Sequence, residues 1–550
     1  MEKRIFAAIV ISVAFLWIWA AVAPRLFPEL AKPKTPPSTT TTAATASTAA
    51  TTTTRSAQDA AASKPGVIAA APPVAITPIA ARGVVETVVK RPEFVARFSN
   101  RGAQLVSFKL TRYRDKSNQP VELIKERLPE STDFPFAIES ADFDVADQLN
   151  RALYEVKVDE SGPGGQVRAI EYRYAAASGV SATKSFRFTT EYLFDFNMAV
   201  APRVAYRTVI GPGLRTLTPE EYNSKIVVAG SGVVQRDGKL TVIPREKGDR
   251  FGIYEHVDFI GIEDNYFLAA LRLKKGDGAV LRRVDVPEGK VVRRELYAGL
   301  NAAADGTLSG DSFFGPKETK LLDRYGFAST LQFGIFGIIA RFLLEVLVWI
   351  NQYTLNYGWA IIVLTILIKV VLYPLQHKSI VSMKKMQKLQ PKMEAIKSRY
   401  KKAKTDADQR QKMNVEMMKL YKVEGINPMS GCFPIALQLP ILWGFYGLLS
   451  RAIELRGAPF ILWIHDLSDK DPYYVTPILM TATMFIQTLI TPTIADPAQR
   501  RIFLIMPLVF GFIFKDMPSG LVLYWLVQNI LTIIQQLIMN KWWKDHPAET

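Results

Sequence analysis

Residues 365–375 read TILIKVVLYPL, ten uncharged positions around one lysine, Lys369. The apolar run reaches back to Tyr357, with Trp359 and Tyr373 near its ends. An ammonium at the centre of a bilayer-spanning helix costs about 2.5–3.5 kcal/mol even on lenient insertion scales. It must either escape to the interface or be accommodated by the protein. Pro374 is expected to end the helix five residues on, about 8 Å away, within reach of a snorkelling lysine. The alternative is a wet cavity between helices.

The surrounding chain decides whether a membrane is present at all. Residues 433–449, 475–490 and 521–539 are further apolar stretches of spanning length, and 5–23 is a 19-residue uncharged run after Lys3 and Arg4. Ala21-Val22-Ala23 resembles a signal-peptide cleavage site, but the run is long for one and Pro24 would follow the cut. An uncleaved anchor over 1–24 is the expectation. Residues 502–514, flanked by Arg501 and Lys515, are short for a span, and read either as a re-entrant segment or, the expectation here, as a span completed by snorkelling at both ends.

Charge sets the topology. The net charge is +17, and residues 376–429 hold 14 Lys and Arg against 5 Asp and Glu, so +9 of it lies in one loop. The positive-inside rule places that loop in the cytoplasm, which points to membrane and headgroups rather than DNA. Counting crossings then puts 331–350 on the membrane surface as an amphipathic helix (326–355), with Arg341 and Glu345 paired at i,i+4. Six spans follow, with both termini cytoplasmic and the segment before 326 outside. In a bacterium this is a multi-pass inner-membrane protein.

That outer segment begins with a Thr/Ala/Pro-rich stretch, 25–83, whose lack of large apolar groups marks a disordered linker. From 84 to 325 the pattern alternates, as in EFVARFSNRGAQLVSFKL (93–110) and SFRFTTEYLFDFNMAV (185–200). Period-two runs broken by Gly, Pro, Asn and Asp predict an antiparallel β-sandwich on the periplasmic side. The fold class is therefore a polytopic α-helical membrane protein with a large periplasmic β domain.

The basic loop carries its own pattern. In KSIVSMKKMQKLQPKMEAIKSRY (378–400) the apolar positions Met386, Leu389, Met393, Ile396 and Tyr400 follow 3-4-3-4 spacing, a coiled-coil seam. Met413, Met417 and Leu420, with Met418 and Tyr421, supply a second strip, so a helical hairpin is expected, with Pro391 kinking or restarting its first arm. The methionines, Met383 included, read two ways: as seam packing, or as a soft surface for apolar segments of many sequences. The lysines likewise fit anionic lipids or ribosomal RNA.

Polar residues recur inside the spans: Thr365 one turn before Lys369, then Gln438, Gln487, Gln528, Asn529, Gln535 and Gln536. No carboxylate lies within a span, which argues against proton-coupled transport. No phosphate loop, nucleophile elbow or zinc helix motif occurs, and one cysteine, Cys432, excludes a disulfide framework or Cys-based zinc site. A cofactor is not expected. The competing classes are a small-molecule transporter, which lacks internal repeats here, and an enzyme in the β domain, whose lone histidine, His256 beside Glu255, has no defensible partner.

NPMSGCFPIALQLPILWGFY (427–446), APFILWIHDLSDKDPYYVTPILM (458–480) and PSGLVLYWLVQNILTIIQQ (518–536) resemble the YidC/Oxa/Albino family of membrane insertases. The resemblance is close over about 320–540, and the anchor, linker and β domain resemble the Gram-negative form. It implies five core helices (356–375 and four within 430–540) around a hydrophilic groove open to cytoplasm and lipid. The groove's positive residue, usually arginine, maps onto Lys369, and Gln438, Trp525 and Asn529 map onto its lining. Lysine keeps the charge and loses the bidentate fork. Implied partners are nascent membrane proteins, the Sec translocon and the ribosome, without nucleotide hydrolysis. Two departures stand out: the tail 540–550 lacks a strongly basic extension, and the Lys515-Asp516 turn is unusually charged.

Overall fold

The computed structural model describes residues 77–124, 134–216, 221, 230–288, 291–400, 406–425, 433–491 and 497–545. The expected anchor and most of the linker lie outside them. The linker's end does not: Ile79 pairs antiparallel with Ala175. Ordered structure therefore starts before the expected boundary at 84, because the backbone of Ile79 and Ala81 completes ladders to Ala175 and Leu153.

Strands, numbered in chain order, form three antiparallel sheets. The first is β1 (Glu86–Lys90), β2 (Phe94–Ser99), β3 (Gln104–Arg114) and β4 (Pro120–Glu122). The second, of five strands, is ordered β13 (Phe251–Tyr254), β16 (Ala279–Glu288), β17 (Val291–Asn301), β10 (Tyr206–Ile210) and β5 (Ala137–Ser140). The third has nine: β12 (Lys239–Ile243), β11 (Ser231–Arg236), β14 (Phe259–Glu263), β15 (Phe267–Lys275), β18 (Thr307–Pro316), β9 (Leu193–Ala201), β8 (Ser181–Phe188), β7 (Ala169–Ala175) and β6 (Glu155–Asp159).

Alternation explains the packing. In β8 and β9 every second residue is buried, so Phe186, Phe188, Phe194 and Phe196 face one core. Phe98 of the first sheet stacks on it, 4.7 Å from Phe186. The five- and nine-stranded sheets approach so closely at Gly232 that a Cβ there would lie 2.6 Å from Leu281. Glycine is required by that contact.

Helices α1 (Phe143–Arg151) and α2 (Thr319–Tyr325) belong to the β domain, and the rest form the helical half. These are α3 (Gly337–Thr354), α4 (Tyr357–Lys388), α5 (Gln390–Arg399), α6 (Ala407–Val423), α7 (Phe433–Arg451), α8 (Val475–Ile490), α9 (Pro497–Phe514) and α10 (Ser519–Asp545). Among the described residues α4 and α10 are long and apolar enough to cross a membrane, and α8 and the 502–514 part of α9 are shorter apolar helices. Their outer faces carry Ile478, Leu508 and Phe512, each more than 60% exposed. Such a patch in water would drive aggregation.

Two expectations need correction. Helix α4 does not end at Pro374 but runs 32 residues, about 48 Å, so its basic extension is continuous with the apolar part. Proline removes one backbone hydrogen bond, which a helix packed on neighbours can forgo. Lys369 is consequently not close to a helix end. In α3, Arg341 and Glu345 do not pair. The helix is held by Ala340, Leu343, Leu344, Leu347 and Ile350 packed inward, and exposed i,i+4 pairs contribute too little to fix two side chains. The uncharged stretch 502–514 lies within α9, which starts at Pro497.

The two halves are joined by side chains far apart in sequence. Ile453 completes the β-domain core, Asn265 Nδ2 donates to the Ser450 carbonyl at 2.9 Å, and Lys116 pairs with Asp469 at 3.1 Å. The Arg456 guanidinium lies 5.1 Å from the Phe267 ring centre.

Candidate functional site

Helix α10 organises the polar interior of the helical half. Tyr524, Gln528, Thr532 and Gln536 recur every four residues and so share one face. Between them they meet three other helices. The Gln438 side chain of α7 donates to the Tyr524 hydroxyl and accepts weakly from Gln528 Nε2 at 3.5 Å. Lys369 Nζ of α4 donates to Thr532 Oγ1 at 2.9 Å. Gln536 Nε2 donates to Thr491 Oγ1 at the end of α8, 2.9 Å away. One residue round, Asn529 Nδ2 points to the Met480 carbonyl and Thr483 Oγ1 of α8, both at 3.4 Å.

Lys369 is 7% exposed, and among the described residues it is the only charged side chain buried within α4 and α7 to α10. Thr532 takes one of its three protons. Thr365 is fully buried one turn away, but its hydroxyl donates back to the Ile361 carbonyl at 2.6 Å and is not offered to the lysine. Trp525 stacks against Phe510 and packs at a tilt on Phe514, its centroid 5.4 Å from the latter, and its indole Nε1 has no partner among the described residues. Gln528 Oε1 and both polar atoms of Gln535 are likewise buried without partners among the described residues. Unmet groups of this kind cost on the order of 1–3 kcal/mol each in a packed interior.

The sequence-predicted residues Lys369, Gln438, Gln528 and Asn529 are thus brought together on α10's polar face, with Trp525 beside them. Thr532, Tyr524, Thr483 and Thr491 were missed. The four-residue spacing from Tyr524 to Gln536 is the signal that would have found the first two.

The basic hairpin forms from the end of α4, α5 and α6. Leu389 breaks α4 from α5, and Pro391 occupies the first turn of α5, where its missing N–H costs nothing. Met386, Leu389, Met393 and Tyr421 make a small core, with the Tyr421 hydroxyl 3.7 Å from Met393 Sδ. Lys392–Glu424 at 2.7 Å and Arg399–Glu416 at 2.6 Å tie the arms together. Met383, Met413 and Met417 are half-buried, while Met418 is 50% exposed beside Val415. Met386 and Met393 therefore serve the seam, and the open methionine surface centres on Met418.

Fold and polar row define a helical membrane protein with an appended β domain. The family model described as the YidC periplasmic domain matches residues 86–346, and that of the 60Kd inner membrane protein matches 349–546. A membrane protein insertase YidC of Geotalea daltonii is 35% identical over 485 residues, covering 85% of this chain and 89% of that protein. One from Geobacter metallireducens is 32% identical over 559 residues, 98% of both chains. A crystal structure of an active YidC insertase with its first transmembrane domain resolved aligns with 82% of this chain and 93% of that one, at 19% identity and a TM-score of 0.36. The chain belongs to the YidC family of inner-membrane protein insertases.

Proposed function

We propose that this chain moves nascent membrane proteins into the bilayer through a polar groove along α10, with Lys369 as its fixed positive charge. The carrying observation is that Lys369 is, among the described residues, the one buried charge in the apolar helices, and that its partner is a hydroxyl rather than a carboxylate. An uncompensated ammonium at that depth attracts an acidic polypeptide tail as a point charge. Gln438, Gln528, Asn529 and Trp525 offer hydrogen bonds to the polar flank of a substrate, which lowers its desolvation cost. Thr365, its hydroxyl spent on the Ile361 carbonyl, contributes size behind Lys369. Apolar burial in lipid then drives release, so no nucleotide hydrolysis and no catalytic group are required.

The domain plan follows from the same reading: an anchor at 1–24, a linker, the β domain in the periplasm, α3 lying at the interface, and five core spans. Both termini are cytoplasmic. The hairpin meets the nascent chain first, through Met418 with Met383, Met413 and Met417, and its lysines hold anionic lipid or the ribosome. Cooperation with the Sec translocon is compatible with α8 and α9, whose outer faces are apolar.

The test is insertion of a short single-span protein with an acidic N-terminal tail into vesicles carrying the full chain. Lys369→Arg should keep most activity, Lys369→Ala should lose about tenfold, and Lys369→Glu more. Full activity of Lys369→Ala would remove the charge from the mechanism.

A further inference from the structure

Helices α8 and α9 touch at Thr481 and Gly511, where a Cβ on the glycine would lie 2.2 Å from Thr481 Oγ1. Beside that contact they leave a groove of about 680 Å³, walled by Ile478, Ala482, Phe485 and Leu508, with Tyr474 and Lys515 at one end. The one hydroxyl on its floor is spent, since Thr481 donates to the Pro477 carbonyl at 2.8 Å. The occupant must be apolar where it lies against the helices. Ile478 and Leu508 are 64% and 63% exposed, so the groove opens sideways, toward lipid.

Its depth discriminates between occupants. From Tyr474 to Phe485 is about 16 Å of helix, and from Lys515 to Leu508 about 10 Å. That matches one leaflet, half of the roughly 30 Å hydrocarbon core, and falls short of what a spanning polypeptide helix needs. The charged end lies on the β-domain side, because the Asp469 and Asp466 carbonyls that receive Ser519 belong to the loop that pairs with Lys116. At that mouth Lys515 Nζ sits 2.7 Å from Asp516 Oδ2 and 5.1 Å from the Phe512 ring centre, giving a cation and an anion side by side.

We propose that this groove holds an acyl chain of a phosphatidylethanolamine-type lipid from the β-domain-side leaflet, with Lys515 facing the phosphate and Asp516 the ammonium. A zwitterionic headgroup matches both charges, whereas an anionic one meets Asp516 unfavourably. This rests on the membrane topology proposed above.

The experiment uses the full chain in vesicles of phosphatidylethanolamine and phosphatidylglycerol, with a trace of phosphatidylethanolamine bearing a photoreactive acyl chain, and maps the labelled peptides by mass spectrometry. Label should concentrate on α8 and α9, at least fivefold above the exposed face of α10. Unlabelled phosphatidylethanolamine should compete better than phosphatidylglycerol. Ala482→Trp and, independently, Leu508→Trp should fill the groove and cut the label several-fold, and Asp516→Asn should abolish the headgroup preference. Uniform labelling of all lipid-facing helices, or undiminished labelling in both tryptophan variants, overturns the site. Equal competition overturns the headgroup assignment. Photocrosslinking of an arrested nascent chain from position 482, with no lipid label there, would assign the groove to polypeptide instead. Modification of Lys515 by an impermeant amine reagent only from the cytoplasmic face would instead overturn the topology, a result distinct from failure of the groove.

Discussion

The β domain and the helical half each bury a lysine, and they treat it in opposite ways. Lys184 in β8 is wholly enclosed and gives its ammonium to two backbone carbonyls, Gly102 at 2.6 Å and Phe136 at 2.7 Å, between aromatic side chains. Lys369 lies on a face where glutamines and an indole keep unpaired polar atoms, and it holds one hydroxyl. The first lysine has two carbonyl partners inside the β domain, and the second, on the proposed groove, has one hydroxyl among the described residues. Unpaired polar atoms are not peculiar to the helical half, since the Tyr154 and Tyr192 hydroxyls of the β domain are also buried without partners among the described residues; the buried charge with a single hydroxyl partner is what sets Lys369 apart.

The comparison can be broken in several ways. The largest effect is expected from Lys184→Ala, which strips two buried carbonyls of their donor and opens a cavity. It should destabilise the β domain by about 3–5 kcal/mol, seen as early urea unfolding of strands followed by proteolysis. Lys369→Ala should change stability by less than about 1 kcal/mol while lowering insertion tenfold, because its removal also removes a buried charge. Equal destabilisation by both substitutions would erase the distinction.

Burial pushes the Lys184 ammonium down to about 7. Below that pH both folded and unfolded chains carry the proton, and stability is flat in this group. Between about 7 and the ordinary lysine value the unfolded chain alone stays protonated, so stability should rise with pH, by at most about 1.4 kcal/mol per unit. Protection factors of β8 amides, corrected for intrinsic exchange, should increase from pH 7 to 9. A Lys184→Met chain with the same slope would refute the assignment.

Smaller effects sharpen the hairpin and the groove. Met393→Ala should loosen the α5–α6 hairpin by about 2 kcal/mol, visible as faster local exchange, whereas Met418→Ala should leave exchange unchanged and reduce crosslinking to nascent chains. Thr532→Val should cost about 0.5–1.5 kcal/mol, the worth of one hydrogen bond, and leave insertion within twofold. A tenfold loss there would make Thr532 part of substrate handling.

Much of this was legible along the chain. Alternation found the strands, and in β8 the structure puts Lys184 on the same inward face as Ala182, Phe186 and Phe188. What alternation could not tell is that a lysine there would find two carbonyls, supplied from 82 and 48 residues away. Seam spacing found Met386 and Met393 in the hairpin, but which methionines stayed open depended on how the arms met. Pro374 was misread as a stop because sequence shows the lost N–H and not the packing that makes its loss tolerable.

Sequence by itself determined the family, the apolar lengths of the helices, the basic hairpin and the β character of the domain, since each follows from local periodicity or composition. Tertiary structure decided what no local pattern encodes: that α10 faces three other helices with one polar row, that Lys369 turns to Thr532 163 residues away, and that Ile453 closes the β-domain core. Those contacts join segments distant in the chain, and only the folded backbone brings their side chains within the few ångströms over which hydrogen bonds and packing act.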